Sequence, residues 1–225
     1  MKKTLFTLAV DGFTADITDL TFPLMRRYAE KIGADFHVIS DRKFPDMPPV
    51  YEKLQIRELG PAMGNDWNLF LDADALVHPD MFDVTEQIKK DTVFHHGTDP
   101  RPLRFRSDRF FQRDGRNIGS CNWCTIASDW CIDLWEPLAD LTLEQAVANI
   151  FPTQHELQTV ITPAHLIDDY TLSRNIAKNG FKVATLDSVM KQIGVQGNFF
   201  WHKYTIGREQ KVAELKAQLK AWEIS

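Results

Sequence analysis

Two aspartates one residue apart, Asp72 and Asp74, stand directly behind an apolar run in the segment "WNLFLDADALVHPD", Trp67 to Asp80. Carboxylates held that close repel and raise each other's pKa unless a cation lies between them. A divalent metal bound to a nucleotide diphosphate would supply that cation. The plain alternative is a turn whose aspartates cap the backbone, because a lone D-x-D is common. Residues two apart on a strand face the same side, so the pair either projects together or brackets a sharp turn.

A second segment has chemistry in its composition. Arg101 to Arg116, "RPLRFRSDRFFQRDGR", sets six arginines against Asp108 and Asp114, with Phe105, Phe110 and Phe111 between them. Arginines interleaved with aromatics bind phosphates and stack on bases or sugars. This points to an anionic ligand: a phosphate-bearing glycan, a lipid or a nucleic acid. The bland reading is a solvated loop at a homo-oligomer contact. Cys121 and Cys124 form a C-x-x-C, but Cys131 is only one more cysteine, and half-buried strand thiols explain the set.

The elements that must position the aspartate pair alternate. Thr4 to Val10 reads as a strand. Ile17 to Ile32 carries Leu20, Leu24, Tyr28 and Ile32 at helical spacing and stops at Gly33. Asp35 to Ser40 is a second strand, Tyr51 to Leu59 a helix stopped by Gly60, and Trp67 to Leu71 a third strand. This β-α-β-α-β order predicts parallel strands covered by helices. Ligands of such sheets sit outside the carboxyl ends of the strands. Asp11 ends the first strand and the aspartate pair ends the third, so all three point to one crevice. Further on, Thr92 to Gly97 and Asn122 to Ser128 read as strands, followed by a helix from Asp129 to Leu138. Leu166 to Asn179 is a helix ended by Gly180, and "FKVATL" is a strand. Glu209 to Trp222 is a C-terminal helix with Val212, Leu215, Leu219 and Trp222 on one face.

With 225 residues, 44% hydrophobic, the chain is long enough for one domain with a sizeable core. Its net charge of −5 argues against a protein made mainly to hold nucleic acid or a membrane surface. The start, "MKKTLFTLAV", imitates a signal peptide, but Asp11 stops the apolar run and no small-residue cleavage site follows. No run approaches the ~20 apolar residues of a membrane span. Three cysteines, an odd set, read as reduced thiols of a cytoplasmic protein.

"LFLDADALV", preceded by "YEKLQIRELG", resembles the GT-A fold glycosyltransferases of the glycogenin and bacterial lipopolysaccharide galactosyltransferase type. The resemblance spans most of the chain in order, and it is sharp around the D-x-D. It implies an α/β, Rossmann-like, mostly parallel sheet in a single domain, 1–225. Residues 1–80 would be the nucleotide-binding half, 81–207 the sugar and acceptor half, and 208–225 the C-terminal helix. The family's D-x-D, here Asp72, Ala73 and Asp74, holds Mn2+ on the diphosphate of a sugar nucleotide. "LAVDGF" is similar to the family's Ala-x-Asp followed by an aromatic. That implies Ala9 beside the donor, Asp11 on the uracil ring and Phe13 stacked near it. Tyr51 and Lys53 fall where the family has a basic residue near the donor. Asn117, Ile118 and Gly119 resemble an Asn-x-Gly at which backbone approaches the sugar.

The same resemblance implies a late histidine as third metal ligand, and "NFFWHKYTIGREQK" offers His202. The plain alternative is a histidine packed among Phe199, Phe200 and Trp201. The family continues His-x-x-Gly-x-x-Lys, whose lysine touches the diphosphate. Here Gly207 lies five residues after His202, Arg208 takes the lysine's position, and Lys211 lies beyond. Aspartate, aspartate and histidine suit Mn2+ or Mg2+ better than a thiolate metal. Aligned on Leu172, "IDDYTLSRN" puts Asp168 and Asp169 in the sugar pocket. Carboxylates there bind hydroxyls and stabilise positive charge at the anomeric carbon. Helix capping is their plain alternative.

The function implied is a metal-dependent transfer of a sugar from a UDP-sugar, with retention. Two alternatives stand. A haloacid-dehalogenase-like phosphatase also has a D-x-D behind an apolar strand, with the first aspartate as nucleophile. That motif, however, lies on the first core strand and continues Gly-Thr. A non-catalytic sugar-nucleotide or glycan-binding module would bind the donor without turnover.

Overall fold

The computed structural model describes residues 1–96, 119, 123–150, 162–203 and 206–224. The central sheet uses β1 (Lys3–Leu8), β2 (Asp35–Ile39), β3 (Trp67–Leu71), β5 (Thr92–His95), β6 (Cys124–Ser128) and β7 (Lys182–Thr185). Their order is β2-β1-β3-β6-β5-β7. β1 pairs in parallel with β2 and β3, and β5 with β7, while β6 runs antiparallel to both β3 and β5. A second, two-stranded sheet joins β4 (Leu76–Val77) to β8 (Phe200–Trp201). The helices are α1 (Ala15–Lys31), α2 (Ile56–Met63), α3 (Leu143–Asn149), α4 (Ile167–Asn179), α5 (Leu186–Ile193) and α6 (Arg208–Ala221). No described helix is long and apolar enough to cross a membrane.

The strand sequences explain why both faces are covered. Successive side chains alternate across a sheet. On β3, Trp67, Leu69 and Leu71 join one core and Phe70 the other, and on β1 Leu5 parts from Phe6 and Leu8 in the same way. The first core takes Leu24, Met25 and Tyr28 of α1, Val189 of α5 and Leu215 of α6. The second takes Tyr51, Leu54, Trp135 and, from α4, Leu172 and Ile176. A sheet buried on both faces is the α/β solution to this pattern.

Two expected helices differ. The Tyr51–Leu59 helix is a 3-10 turn over Pro49–Gln55 that becomes α2 and runs through Gly60 to Gly64. Gly60 does not break the helix; it lets the helix approach β3. A Cβ there would lie 2.4 Å from Oδ1 of Asn68, which is wholly buried and accepts a bond from Asn65 Nδ2 at 3.0 Å. Gly60→Ala gains roughly 1 kcal/mol in helix propensity but overpacks a closed site at a cost of about 1–3 kcal/mol. The expected net result is a lower Tm; a raised one would show that Asn68 moves aside freely. The second difference is Asp129–Trp135, a 3-10 helix kinked at Cys131. Its Ser128 side chain accepts from Trp130 N, which tightens the first turn.

Candidate active site

The D-x-D sits on a turn. The Asp72 amide donates to Trp123 O at 2.9 Å and so prolongs β3, and the Ala75 amide then closes back on Asp72 O at 2.9 Å. The reversed chain becomes β4, whose Leu76 faces Trp201 and whose Val77 faces Phe200 on β8. His78 N to Phe199 O, 2.8 Å, extends this short ladder. His202 follows β8 directly and is thereby delivered to the aspartates.

His202 Nε2 lies 3.2 Å from Asp74 Oδ1 and 3.8 Å from Asp72 Oδ2. One ligand atom from each of the three lies within 4.8 Å of the others, the only such group among the described residues. Each carboxylate's other oxygen faces a lysine. Lys53 Nζ is 3.4 Å from Asp72 Oδ1, and Lys211 Nζ is paired with Asp74 Oδ2. Trp123 secures both sides. Its carbonyl takes the Asp72 amide, and its ring stacks on His202 at 4.9 Å and 25°.

Behind the pair, Lys53 is fully buried, 4.4 Å from the centre of the Phe70 ring and 2.6 Å from Asp168 Oδ2. Burial alone would depress its pKa, but Asp168 and Asp72 outweigh that and leave it above the ordinary lysine value. Desolvation raises Asp72, against the pull of Lys53 and His202. Desolvation acts on Asp74 too, yet His202 and Lys211 hold its carboxyl well below the usual range. Three carboxylates (Asp72, Asp74 and Asp168) thus meet two ammonium groups (Lys53 and Lys211), which leaves negative charge for a cation. Two oxygens and one imidazole nitrogen converging with their outer oxygens secured fit a hard divalent ion.

The aspartate pair opens on a crevice of about 240 Å3. Leu8, Val10 and Phe13 line it from the β1 side, Pro49 and Val50 from the 3-10 turn, and Lys211 from α6.

No protein-family model matches the chain, and no curated protein does. Solved structures do. One is a glycosyltransferase involved in the glycosylation of the major capsid of PBCV-1, with 12% identity, 96% of this chain and 100% of that one covered, and a TM-score of 0.53. Another is the galactosyltransferase LgtC in complex with donor and acceptor sugar analogs, with 11% identity, coverage of 97% and 99%, and a TM-score of 0.52. An active-site mutant of LgtC gives 12%, 96% and 95%, and 0.51. The chain has the GT-A glycosyltransferase fold.

On this GT-A scaffold the remaining candidates are distributed unevenly. Phe13 and Ala73 line the crevice, and the Ala73 carbonyl accepts from Thr21 Oγ1 at 2.5 Å. Ala9 is engaged by its backbone, its amide donating to Ile39 O at 3.0 Å. Asp11 is paired with Arg42. Asp168 and Asp169 lie in the first turn of α4, each 3% exposed, and no side chain caps that helix. Asp168 reaches the aspartate pair through Lys53.

Arg208 is placed away from the crevice. Its Nε meets Asp16 Oδ2 at 3.0 Å on the exposed surface. Lys211 is in the crevice instead, one helical turn beyond Gly207, to whose carbonyl its amide donates at 2.9 Å. The family spacing pointed to Arg208 and passed over Lys211, which lies three residues further along the same helix. His165 also lines the crevice, from the 3-10 turn Pro163–Leu166, and no motif pointed to it.

Gly119 sits against β5 and α4; a Cβ would come within 2.8 Å of His95 Cδ2 and 2.9 Å of Ile176 Cδ1. Packing therefore accounts for this glycine without a sugar. Cys124 and Cys131 are buried, and burial pushes the Cys131 thiol up to about 12. Asn117, Ile118, Cys121 and the arginine segment 101–116 lie outside the described residues.

Proposed function

We propose that the protein is a metal-dependent glycosyltransferase that moves a sugar from a UDP-sugar to an acceptor, with retention. The convergence of Asp72, Asp74 and His202 on the GT-A crevice carries this reading. Mn2+, or Mg2+, held by these three would supply Lewis-acid neutralisation of the departing diphosphate. The chain's own groups do the rest. Lys211, already beside Asp74, sets a fixed positive charge where the leaving phosphate develops negative charge. Lys53 keeps Asp72 and Asp168 in register from beneath. Val10, Phe13 and Val50, which line the crevice, offer the base an apolar slot, and Asp11, next to Val10 in the chain and paired with Arg42, accepts its N–H. Asp168 and Asp169 orient the sugar from the first turn of α4. The leaving phosphate takes the acceptor's proton, so no protein base is required. An anionic acceptor met by residues 101–116 completes the reading.

The crystallisation of LgtC with donor and acceptor sugar analogs supports a donor and an acceptor here. The phosphatase alternative gains nothing: Asp72 faces Lys53 and His202, and the D-x-D follows the third strand, not the first. Donor hydrolysis separates an enzyme from a binding module.

A ligand that binds only the folded state stabilises it by mass action, about 2.7 kcal/mol at a hundred times Kd. UDP with Mn2+ at that level should raise Tm by about 5–10 °C in a chain of this size. A chelator should remove most of the shift. No shift with any nucleoside diphosphate would overturn the transferase reading.

A further inference from the structure

The loop between β2 and the 3-10 turn has no regular structure, yet three side chains capture its backbone: Glu52, Arg42 and Gln55, whose Nε2 donates to Asp41 O at 2.8 Å. Glu52 is wholly buried. Its Oε1 accepts from Arg42 Nε at 2.8 Å and Phe44 N at 2.9 Å, and its Oε2 from Lys43 N at 2.9 Å and Gln55 Nε2 at 2.8 Å. Arg42 in turn donates from Nη2 to Phe44 O at 3.1 Å, to Pro45 O at 3.3 Å and to Met47 O. Its Nη1 donates to Asp11 Oδ2. One guanidinium therefore joins the segment after β1 to the loop after β2. Val10 and Phe13 on one side, and Pro49 and Val50 on the other, line the same crevice.

Asp11 needs this hold. Its backbone is left-handed at φ 53°, and Gly12 follows at 74°. A non-glycine residue there costs free energy and persists only where its surroundings impose it. As a contribution to stability the Arg42–Asp11 pair is minor, because Asp11's side chain is half exposed. The bond from Arg42 to Oδ2 orients the carboxylate, and Oδ1 is its second acceptor oxygen.

We propose that Arg42, seated on Glu52, is the positioning residue for base selection: it aims Asp11 so that the site takes bases with a ring N–H (uracil or guanine) and disfavours cytosine and adenine. The chemistry is a matter of donors and acceptors. A carboxylate accepts from a ring N–H, whereas an unprotonated ring nitrogen turns a lone pair toward it. This rests on the donor-binding reading above and adds a residue outside the metal set.

The test compares the wild type with Arg42→Lys, which keeps the charge but loses the fork that reaches Glu52, the loop carbonyls and Asp11 together. Affinities for UDP, CDP and Mn2+ alone are measured by calorimetry. UDP affinity should fall about tenfold, roughly the loss of one well-aimed hydrogen bond, with CDP and Mn2+ affinities unchanged. Equal loss for UDP and CDP, or no loss, overturns the proposal. A wild type that binds no nucleoside diphosphate removes the transferase reading itself. Should the variant fold poorly, amide exchange in the wild type decides. UDP with Mn2+ should slow exchange at Lys43 and Phe44, and pyrophosphate with Mn2+ should not; equal protection by both, or none by UDP, again overturns it.

Discussion

Asp74→Asn should lose more than about a hundredfold in kcat/KM for donor turnover, while Tm moves by only a few degrees. The scale follows from what disturbing mere outer contacts of a metal ligand costs, about 10–100-fold in affinity or activity. Asparagine keeps the shape of the side chain but offers a neutral oxygen, so the loss at a direct ligand should exceed that range. Asp74 is also the better ionised of the pair, held so by His202 and Lys211 against its own desolvation. The measurement is turnover of UDP-sugars at saturating Mn2+, beside a melting curve of the same sample. Turnover within about threefold of wild type, well inside the range of an outer contact, would sink the metal assignment.

Lys53→Met should be the most destabilising single change in the site. Removing one partner of a buried ion pair leaves the other uncompensated and costs about 3–5 kcal/mol. Asp168, 3% exposed and 2.6 Å from Lys53 Nζ, is that stranded partner. Methionine preserves most of the volume over Phe70, so the effect isolates the charge. Tm should fall by about 6–20 °C at the usual 2–4 °C per kcal/mol for this size. The double change Lys53→Met with Asp168→Leu should recover much of the loss, since an apolar pair of similar volume often substitutes for a buried ion pair. No recovery would mean that Asp168 answers to other groups as well.

β1 and β3 are legible as continuous apolar runs because both their faces are buried, whereas the edge strand β2, largely half-buried, is read from its place between two helical segments. The D-x-D was therefore easy to place, and the GT-A fold with it. Contacts across the sequence were harder. Arg42 and Glu52 lie in an irregular loop and a 3-10 turn, where no period announces that a carboxylate is buried. Gly60 carried the signature of a helix stop, yet its meaning came from Asn68 on a neighbouring strand. Arg208 fitted the family spacing, but helix rotation aims it at Asp16 and brings Lys211 to the crevice. His165 arrives on a short 3-10 turn of four residues, Pro163–Leu166, with no motif of its own, so only the tertiary fold could show it.

The two-residue ladder between β4 and β8 has a kinetic consequence. It brings together groups as far apart in the chain as Asp74 and Lys211, 137 positions. Closing so long a loop carries an entropic cost before any contact repays it. A ladder of only two residue pairs can open without global unfolding and release α6 with it, against the hold of Leu215 in the core and of His78 packed on Trp222 at 4.9 Å. Each such opening takes His202 and Lys211 away from the aspartates. The lifetime of a cation held there would then be set by the undocking of the C-terminal segment and not by ligand exchange alone. Cation release and amide exchange along β8 and α6 should share one rate, and any partner that grips this segment would act as a lock on the site.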